Sequence, residues 1–430
     1  MSLFGFARLD ITPEPGCLLY GYVDDLVSEN IHDRLNINAF YFENADSNAL
    51  MLSAEVCSVN TAVSARIRKE ISKKLDICYD NIILHGIHNH TGPNTDGNCG
   101  WGDLDIDYCE RILLPAALKA SERARETAVP AKAGFAIGQS LIGVNRREQT
   151  LENTVTFGQC PWGPFDPRMA IIAFRDLNDK PIANLIFYTC HGTCAGKCTA
   201  ISRDWAGGMI DMLSLHSNAP SAFFCGAEGD VGPRLPNGQT VGNISDAEEM
   251  GKLAGKDAVR IFDSINAFSP LDFSVIAGDI RIPLKPRISK EDALERLLSV
   301  RNKTVNIDGQ IRNYCERVLR SYDMGFSDES FYIFRQTVLR IGSFIFACFP
   351  YELFSEIALR IDKAVKNKNI FCLSNANGSE GYFPSNSEIS KGGYEIDMYL
   401  THNIQPYCDN ADFHLIKETL KNLEDLLCTE

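Results

Sequence analysis

Five short apolar runs, each ending in residues that can bind a metal or hold a substrate, constrain what this chain can fold into. They span residues 81–90, 181–193, 221–233, 342–352 and 369–382. A short apolar run bounded by turn residues is typical of a strand buried on both faces. Helix-like stretches separate the runs, which predicts an α/β fold. In open sheets of this class, the ligand site lies outside the carboxyl ends of the strands.

The residues at these strand ends are suited to a metal enzyme. They comprise three histidines, two carboxylates and one tyrosine: His88, His90, His191, Asp230, Glu352 and Tyr382. Zinc takes neutral imidazole and carboxylate ligands, and a catalytic zinc site leaves one position open for water. The sequence therefore predicts an enzyme with a metal site at the carboxyl ends of its strands.

The predicted fold is a mixed, largely parallel β-sheet flanked by helices. Residues 169–174 and 183–190 are expected to form a hairpin around Asn178 and Asp179, which makes the sheet mixed. Because no linker divides the chain, residues 1–430 are expected to form a single catalytic domain. Residues 265–335 are less apolar, which favours a peripheral subdomain or an insertion. A loop rich in Gly, Ser and Asn is expected from residue 374 to about residue 399.

The charge and the cysteines restrict the partners and the location. The 430 residues carry a formal net charge of −14 without a basic cluster, which excludes nucleic acid and anionic membranes as expected partners. No apolar run reaches the length of a transmembrane helix, and no signal-peptide pattern is visible. The 15 cysteines, an odd number, are expected to be reduced thiols. These features predict a cytoplasmic protein that acts on a small molecule.

The first motif is His88-Asn89-His90. Two histidines at i and i+2 project to one side of an extended segment. They could supply two metal ligands, or one ligand and one general base, and the alternative is a structural pair. The second motif, His191-Gly192-Thr193, ends a buried run. Its alternative interpretation is a core histidine that donates to a backbone carbonyl.

Four motifs occur in a specific order along the chain. They are Gly-Phe-Ala-Arg-Leu-Asp-Ile-Thr-Pro at 5–13, His-Asn-His-Thr-Gly-Pro at 88–93, His-Gly-Thr at 191–193 and Gly-Asp-Val-Gly-Pro at 229–233. Together they resemble the catalytic domain of the neutral/alkaline non-lysosomal ceramidases. This resemblance implies a zinc amidase that hydrolyses the N-acyl bond of ceramide.

The resemblance also implies a ligand set for one zinc ion per chain. His88 and His191 match the histidine ligands of the family, Glu352 matches its carboxylate ligand, and Tyr382 resembles its tyrosine ligand. Tyr394 lies on the same predicted loop and is the alternative tyrosine.

The remaining site residues are predicted to act around the metal. His90 or Asp230 would move a proton to the leaving group, and Tyr382 would bind zinc or donate to the oxyanion. Arg146, with Arg147, offers guanidinium groups that suit a carboxylate or a phosphate of the substrate.

Two further residues have candidate roles next to the motifs. Thr193 offers its hydroxyl to a substrate. Asp204 would orient His191 from behind, and the alternative is an ordinary carboxylate at a helix start. Cys190, Cys194 and Cys198 fit no common cluster spacing and are interpreted as buried thiols.

The chain departs from the family pattern at two motif positions, and this affects the predicted reaction. Gly232 and Thr91 stand where the family has serines. A long apolar tunnel is not evident, so the predicted substrate is smaller and more polar than ceramide, with an amide or an ester bond. The alternatives are a metal-dependent isomerase or lyase acting on a sugar or polyol, and a non-catalytic binding protein on the same scaffold.

Overall fold

The computed structural model describes residues 1–97, 101–152, 154–300, 307–366 and 368–428. The strands are β1 Leu3–Asp10, β2 Asn30–Ile31, β3 Asn36–Glu43, β4 Asn48–Ala54, β5 Ile82–Gly86, β6 Val129–Gln139, β7 Gly143–Asn145, β8 Arg147–Gln149, β9 Val155–Phe157, β10 Arg168–Asp176, β11 Pro181–Tyr188, β12 Ala200–Ile201, β13 Ser221–Cys225, β14 Val231–Pro233, β15 Ser269–Pro270, β16 Phe273–Pro283, β17 Phe331–Ile341, β18 Phe344–Cys348, β19 Glu352–Leu353, β20 Asn369–Leu373 and β21 Tyr382–Phe383. The helices are α1 Thr61–Leu75, α2 Ile106–Tyr108, α3 Leu114–Glu126, α4 Asp204–Ser217, α5 Ile244–Phe262, α6 Lys290–Ser299, α7 Ile307–Asp323, α8 Ser355–Ala364, α9 Asn386–Ile389, α10 Tyr394–His402 and α11 Ala411–Leu427.

Local sequence explains where the main helices begin and end. Asn243 caps α5, because its side chain accepts from the backbone of Ser245 and Asp246 while Asp246 accepts from Asn243 in return. Helix α4 ends at Asn218, which takes the left-handed conformation that asparagine tolerates at a helix end. Helix α4, which ends in this way, crosses between the parallel strands β11 and β13.

The larger sheet has the strand order β13-β11-β10-β6-β1-β3-β4-β5, with β15 paired to β6. The α/β class and the mixed sheet are confirmed, but the pairing is less parallel than predicted. The pairs β4–β5 and β11–β13 are parallel, and the other neighbours along this order are antiparallel. The length of each connection explains the direction of pairing. Short turns join β3 to β4 and β10 to β11, which makes these pairs antiparallel, whereas α1 and α4 provide the long crossovers that parallel pairs require.

A second sheet has the order β16-β17-β18-β20. Its β18–β20 pair is parallel, and α8 lies between these two strands in the chain. Aromatic side chains of both sheets share one core, in which Phe187 of the larger sheet contacts Phe346 and Phe371 of the smaller one. The two sheets therefore form one packed unit, and their parallel pairs carry the predicted site motifs.

Two stretches differ in detail from the prediction. Residues 374–399 contain β21, α9 and the start of α10, where a loop was expected. Helix α10 follows Gly392 and Gly393, which both have positive φ, and these glycines concealed its start. Residues 265–335 contain β16, which pairs along its whole length with β17, a strand that continues beyond this stretch to Ile341. The single domain and the peripheral subdomain or insertion remain predictions.

Within the described residues, no helix combines the length and the apolar character that crossing a bilayer requires.

Candidate metal centre

Four chain segments that follow parallel strands converge on the site. His88 and His90 follow β5, and His191 follows β11. Glu352 opens β19, which follows β18, and it pairs in parallel with Tyr382 on β21. The carboxyl ends of the parallel pairs of both sheets therefore supply the side chains, as the sequence predicts for a sheet of this class.

The segments that carry the histidines approach each other closely. Asn89 and Gly192 form a parallel bridge between them, and His88 takes the left-handed conformation with φ +67°. A side chain at Gly192 would lie 2.8 Å from the Cα atom of Asn89. Only glycine permits this approach, and non-glycine residues in the left-handed region are typical of functional sites.

Three potential ligand atoms point at one position. His88 Nε2 lies 3.3 Å from Glu352 Oε2, and His191 Nε2 lies 3.1 Å from the same oxygen. A tetrahedral shell with zinc–ligand distances of about 2.0–2.1 Å separates its ligand atoms by about 3.3–3.4 Å. The observed spacing therefore fits a single metal ion, and these residues form a group that could hold one.

The outer nitrogens of two histidines are bonded to the backbone. His191 Nδ1 donates to the carbonyl oxygens of Glu228 and Val231, at 2.7 and 2.9 Å. His90 Nδ1 donates to the Gly21 carbonyl at 3.1 Å. These bonds leave the Nε2 lone pairs of both rings free for a cation.

The electrostatics of the cluster favour a shared cation. Burial lowers the pKa of His191 to about 3 and, with His88, lowers that of His90 well below its ordinary value. Burial opposes ionisation of Glu352, but His88 and His191 outweigh it and hold the pKa of that carboxyl well below 4.5. His88 differs from the other two rings, because Cys57 and Glu352 outweigh its burial and raise its pKa well above 6.5. A metal ion bound here would therefore take the place of a proton on His88.

The cluster opens into a narrow pocket of about 360 Å³, including the space open to solvent. Its walls are mostly aromatic and apolar beyond the ligands, and they comprise Tyr20, Gly21, Cys57, His88, His90, Trp101, Glu352, Gly381, Tyr382, Tyr394 and Met398. A concave site with this lining beside convergent polar groups is typical of a site for a small molecule.

Tyr382 and Tyr394 both line this pocket, with ring centroids 5.8 Å apart. Arg146 Nη2 donates to the Tyr382 hydroxyl at 3.0 Å, and Arg146 Nε donates to Glu395 at 2.9 Å. Burial and the nearby Glu352 carboxylate raise the pKa of Tyr382 well above 10. Arg146 therefore acts on the pocket through Tyr382, and its guanidinium is already engaged by protein groups.

The structure places two predicted substrate-binding residues in other contacts. Arg147 is buried and donates to Glu388, Glu395 and the Gly392 carbonyl. The Thr193 hydroxyl donates to the Thr240 carbonyl at 2.8 Å. Sequence alone could not exclude them, because the partners lie far away along the chain.

Asp230 does not line the pocket, although it follows a strand as predicted. Its Oδ1 accepts from the backbone and hydroxyl of Ser355, and its Oδ2 accepts from Asn145, at 2.8 to 2.9 Å. Oδ1 thus holds the start of α8, and Oδ2 is occupied by Asn145 at the end of β7. These contacts favour a positioning role over the predicted proton transfer.

Asp204 also differs from its predicted contact. Its carboxylate accepts from the backbone of Cys194, Ala195 and Trp205, and not from the imidazole of His191. Trp205 Nε1 in turn donates to the His191 carbonyl at 2.8 Å. Asp204 therefore supports the backbone around His191, while carbonyl oxygens orient the ring.

Several residues behind His88 were not predicted from the sequence. Cys57 Sγ lies 3.5 Å and Asn375 Nδ2 lies 3.1 Å from His88 Nδ1. Asn375 Nδ2 also donates to the buried Glu228 carboxylate at 2.6 Å. Glu228 and Asn375 lie near the ends of β13 and β20, which is a signal that could have identified them; Cys57 lies in an apolar stretch without such a signal.

At position 232 this chain has a glycine where the family pattern has a serine, and Thr240 lies next to this glycine. A side chain at Gly232 would meet Thr240 Cβ at 2.7 Å. Thr240 thus fills the space that a serine would need at this position.

Comparisons with known proteins agree with this architecture. The model of the family "Neutral/alkaline non-lysosomal ceramidase, N-terminal" matches residues 3–235. The chain is similar to neutral ceramidase A of Dictyostelium discoideum, with 23% identity over 252 residues, which are 53% of this chain and 35% of the relative. It is similar to neutral ceramidase B of the same organism, with 23% identity over 236 residues, 50% of this chain and 33% of the relative. The chain thus matches about a third of the length of these relatives.

Solved structures show the same fold over nearly the whole chain. Neutral ceramidase from Pseudomonas aeruginosa superposes with a TM-score of 0.72 and 16% identity, covering 97% of this chain and 73% of that one. A structure described as ceramidase complexed with C2 gives a TM-score of 0.71 and 15% identity, covering 97% and 74% of the two chains. With a family model that matches more than half of its length, this chain belongs to the neutral/alkaline non-lysosomal ceramidase family.

Proposed function

We propose that this protein is a zinc-dependent hydrolase that cleaves an N-acyl amide bond, or an ester bond, in a substrate smaller and more polar than ceramide. The observation that carries the proposal is the convergence of His88, His191 and Glu352 on one position. Membership of the ceramidase family supports the amide bond. The narrow pocket, walled by aromatic side chains, supports a small substrate.

The metal would be held by His88, His191 and Glu352, with Tyr382 as the fourth proposed ligand. A zinc ion in such a site lowers the pKa of a bound water and polarises the scissile carbonyl. The chain itself contributes the dry, aromatic surroundings, in which electrostatic interactions are stronger than in water.

His90 is the proposed proton carrier. Its Nδ1 donates to the Gly21 carbonyl, so its Nε2 holds the free lone pair. That nitrogen lies 3.3 Å from His88 Nε2, at the edge of the ligand cluster, and His90 lines the pocket. It can accept a proton there and return it to the leaving group, a contribution of roughly 10²–10⁴ in rate for a placed acid–base group.

Tyr382 and Arg146 are the proposed polar wall opposite the histidines. The guanidinium of Arg146 donates to the Tyr382 hydroxyl and stays in place through Glu395. The phenol can either approach the metal or donate to the oxygen that becomes negative as the carbonyl is attacked. Whether Tyr382 binds the metal or donates to the oxyanion, Arg146 holds its hydroxyl in place. The positive charge of the guanidinium also stabilises negative charge on the neighbouring oxygen atoms.

The proposed location is the cytoplasm. All cysteines of the described residues carry free thiols, and many of them are buried in apolar surroundings. Reduced thiols are typical of a reducing compartment. Fractionation of the native source, followed by detection of the protein, tests this assignment.

The metal content of protein purified without chelator tests the proposed centre. We expect about one zinc per chain in the wild type and almost none in His191→Ala, because the variant loses one of the four proposed protein ligands. His216→Ala, which removes an exposed histidine paired with Asp263, is the matched control and should keep its zinc.

The same preparations then test the reaction. A panel of short N-acyl amides and esters should be hydrolysed by the wild type and by His216→Ala, and not by His191→Ala. A zinc-replete and fully active His191→Ala protein would contradict the assignment. A metal-loaded wild type that hydrolyses no amide or ester would refute the hydrolase while leaving the centre intact.

A further inference from the structure

The pocket contains a second group of potential metal ligands, in which Cys57 is the member that the proposed reaction does not use. Cys57, His88 and His90 offer a thiol and two imidazole nitrogens that all lie within 4.8 Å of one another. Cys57 Sγ lies 3.5 Å from the His88 ring nitrogen Nδ1, and the Nε2 atoms of His88 and His90 are 3.3 Å apart. The three residues line the same pocket wall, so a cation that enters the pocket can reach them.

The chemistry of this group differs from that of the first one. A thiol and two imidazoles form a soft ligand set, whereas His88, His191 and Glu352 include a hard carboxylate oxygen. Zinc–sulfur and zinc–nitrogen distances of about 2.3 and 2.0–2.1 Å require ligand atoms about 3.5 Å apart. The Nε2 atoms of His88 and His90 already meet this spacing. The 3.5 Å separation from Cys57 Sγ is measured to the other nitrogen of the His88 ring, so the thiol has to shift toward Nε2 when a cation binds. The thiol is therefore placed to select soft cations over hard ones.

The thiol is not suited to act on its own. Burial raises the pKa of the Cys57 thiol, so that it carries its proton in the absence of a cation. A protonated thiol is a poor nucleophile, which argues against covalent catalysis by Cys57. When a cation binds, a sulfur–metal bond forms, the S–H bond breaks, and the proton leaves to solvent.

We propose that Cys57, His88 and His90 form a second cation position in the pocket, selective for soft divalent ions such as Cd²⁺. Both positions use His88, so they overlap and one cation excludes or displaces the other. Soft cations then block the pocket through Cys57. The second cation position is inferred from the arrangement of Cys57, His88 and His90. Only its competition with zinc rests on the proposed function.

Cadmium titration, followed by ultraviolet absorption, tests the proposal, because a thiolate bound to Cd²⁺ gives a charge-transfer band that His and Glu ligands do not. The titration uses a background in which the exposed Cys78 and Cys428 are replaced by serine. We expect a band that saturates near one equivalent of Cd²⁺ and disappears in Cys57→Ser. Cys348→Ser, which changes a buried free thiol in the core shared by the two sheets and not in the pocket lining, is the matched control and should keep the band.

Two variants separate this inference from the proposed function. His191→Ala lacks one ligand of the first position only and should keep the cadmium band, whether or not the zinc centre exists. Cys57→Ser, measured relative to its own uninhibited activity, should need at least tenfold more Cd²⁺ for half-maximal inhibition. A wild type without the band, or a Cys57→Ser protein that retains it, would overturn the second position. If Cd²⁺ inhibited the wild type and Cys57→Ser equally, the proposed competition between Cd²⁺ at Cys57 and zinc would be overturned.

Discussion

At the scale of single residues, two glycines let the backbone approach the histidines of the site. A side chain at Gly21 would lie 2.3 Å from His90 Nδ1, and one at Gly192 would lie 2.8 Å from the His88 carbonyl oxygen. Both distances are shorter than a carbon atom can tolerate, so the ring and backbone would have to move. The positions of the ligands therefore depend on residues that have no chemistry of their own.

We expect Gly192→Ala to weaken metal binding as well as the fold. The added methyl group separates the segments that carry His88 and His191, which overpacks the site at a cost of roughly 1–3 kcal/mol. Metal affinity and urea denaturation measure the two effects. Gly238→Ala is the control, because its φ of +81° in open space strains the backbone far from the site. A Gly192→Ala protein with unchanged metal affinity would contradict the close approach.

We expect the buried carboxyl of Asp230 to make stability depend on pH. Burial raises its pKa from 3.8 to about 7. Between these values the folded protein holds a proton that the unfolded chain has released, so the free energy of unfolding falls as the pH rises. Asp230→Asn has no such titrating group. The free energy of unfolding of the wild type minus that of Asp230→Asn should therefore fall by up to about 1.4 kcal/mol per pH unit as the pH rises.

Urea denaturation of both proteins at several pH values across this window measures that difference. Groups common to the two proteins cancel in the comparison. A difference that does not change with pH would show that Asp230 is ionised in the folded state throughout.

At the scale of elements, an ion-pair network ties α9 and α10 to the β8–β9 hairpin. Arg147, at the start of β8, pairs with Glu388 on α9 and Glu395 on α10, at 3.0 and 2.6 Å. All three side chains are nearly or fully buried, so the network cannot be replaced by water. Since α10 begins with Tyr394, this network positions one aromatic wall of the pocket.

We expect Arg147→Met to release this wall. The substitution leaves the carboxylates of Glu388 and Glu395 buried with less positive charge around them, which destabilises by roughly 3–5 kcal/mol. Hydrogen exchange across residues 386–402 should increase, and denaturation measures the loss of stability. Arg281→Met, which removes an exposed arginine paired with Asp279 at 3.7 Å, should cost less than about 1 kcal/mol. Unchanged exchange in Arg147→Met would contradict this role.

At the scale of the whole molecule, the larger sheet curls so that its two edge strands approach each other. His85 on β5 accepts a hydrogen bond from the backbone of Cys225 on β13 at 3.1 Å, and Ser53 on β4 donates to the Phe223 carbonyl. The smaller sheet packs across this curl through its aromatic residues. The ends of β5, β11 and β18 thus meet, although they lie far apart in the order of strands.

Much of the fold and of the ligand set can be predicted from local sequence. Apolar runs that end in a histidine or a glutamate predict buried strands with polar carboxyl ends, because backbone pairing and burial constrain such runs wherever they lie. His88, His191 and Glu352 follow this rule, and the structure brings them together. The family motifs, which are also local, agree with the family model.

Only the tertiary structure decided which polar residues have a free functional group. Arg147, Asp230 and Thr193 also stand beside turns and strand ends, but distant partners occupy their polar atoms. Cys57 lies in an apolar stretch, yet its sulfur reaches the pocket. The physical reason is that strand patterns depend on neighbours along the chain, whereas hydrogen-bond and metal partners depend on distances set by the packing of the two sheets.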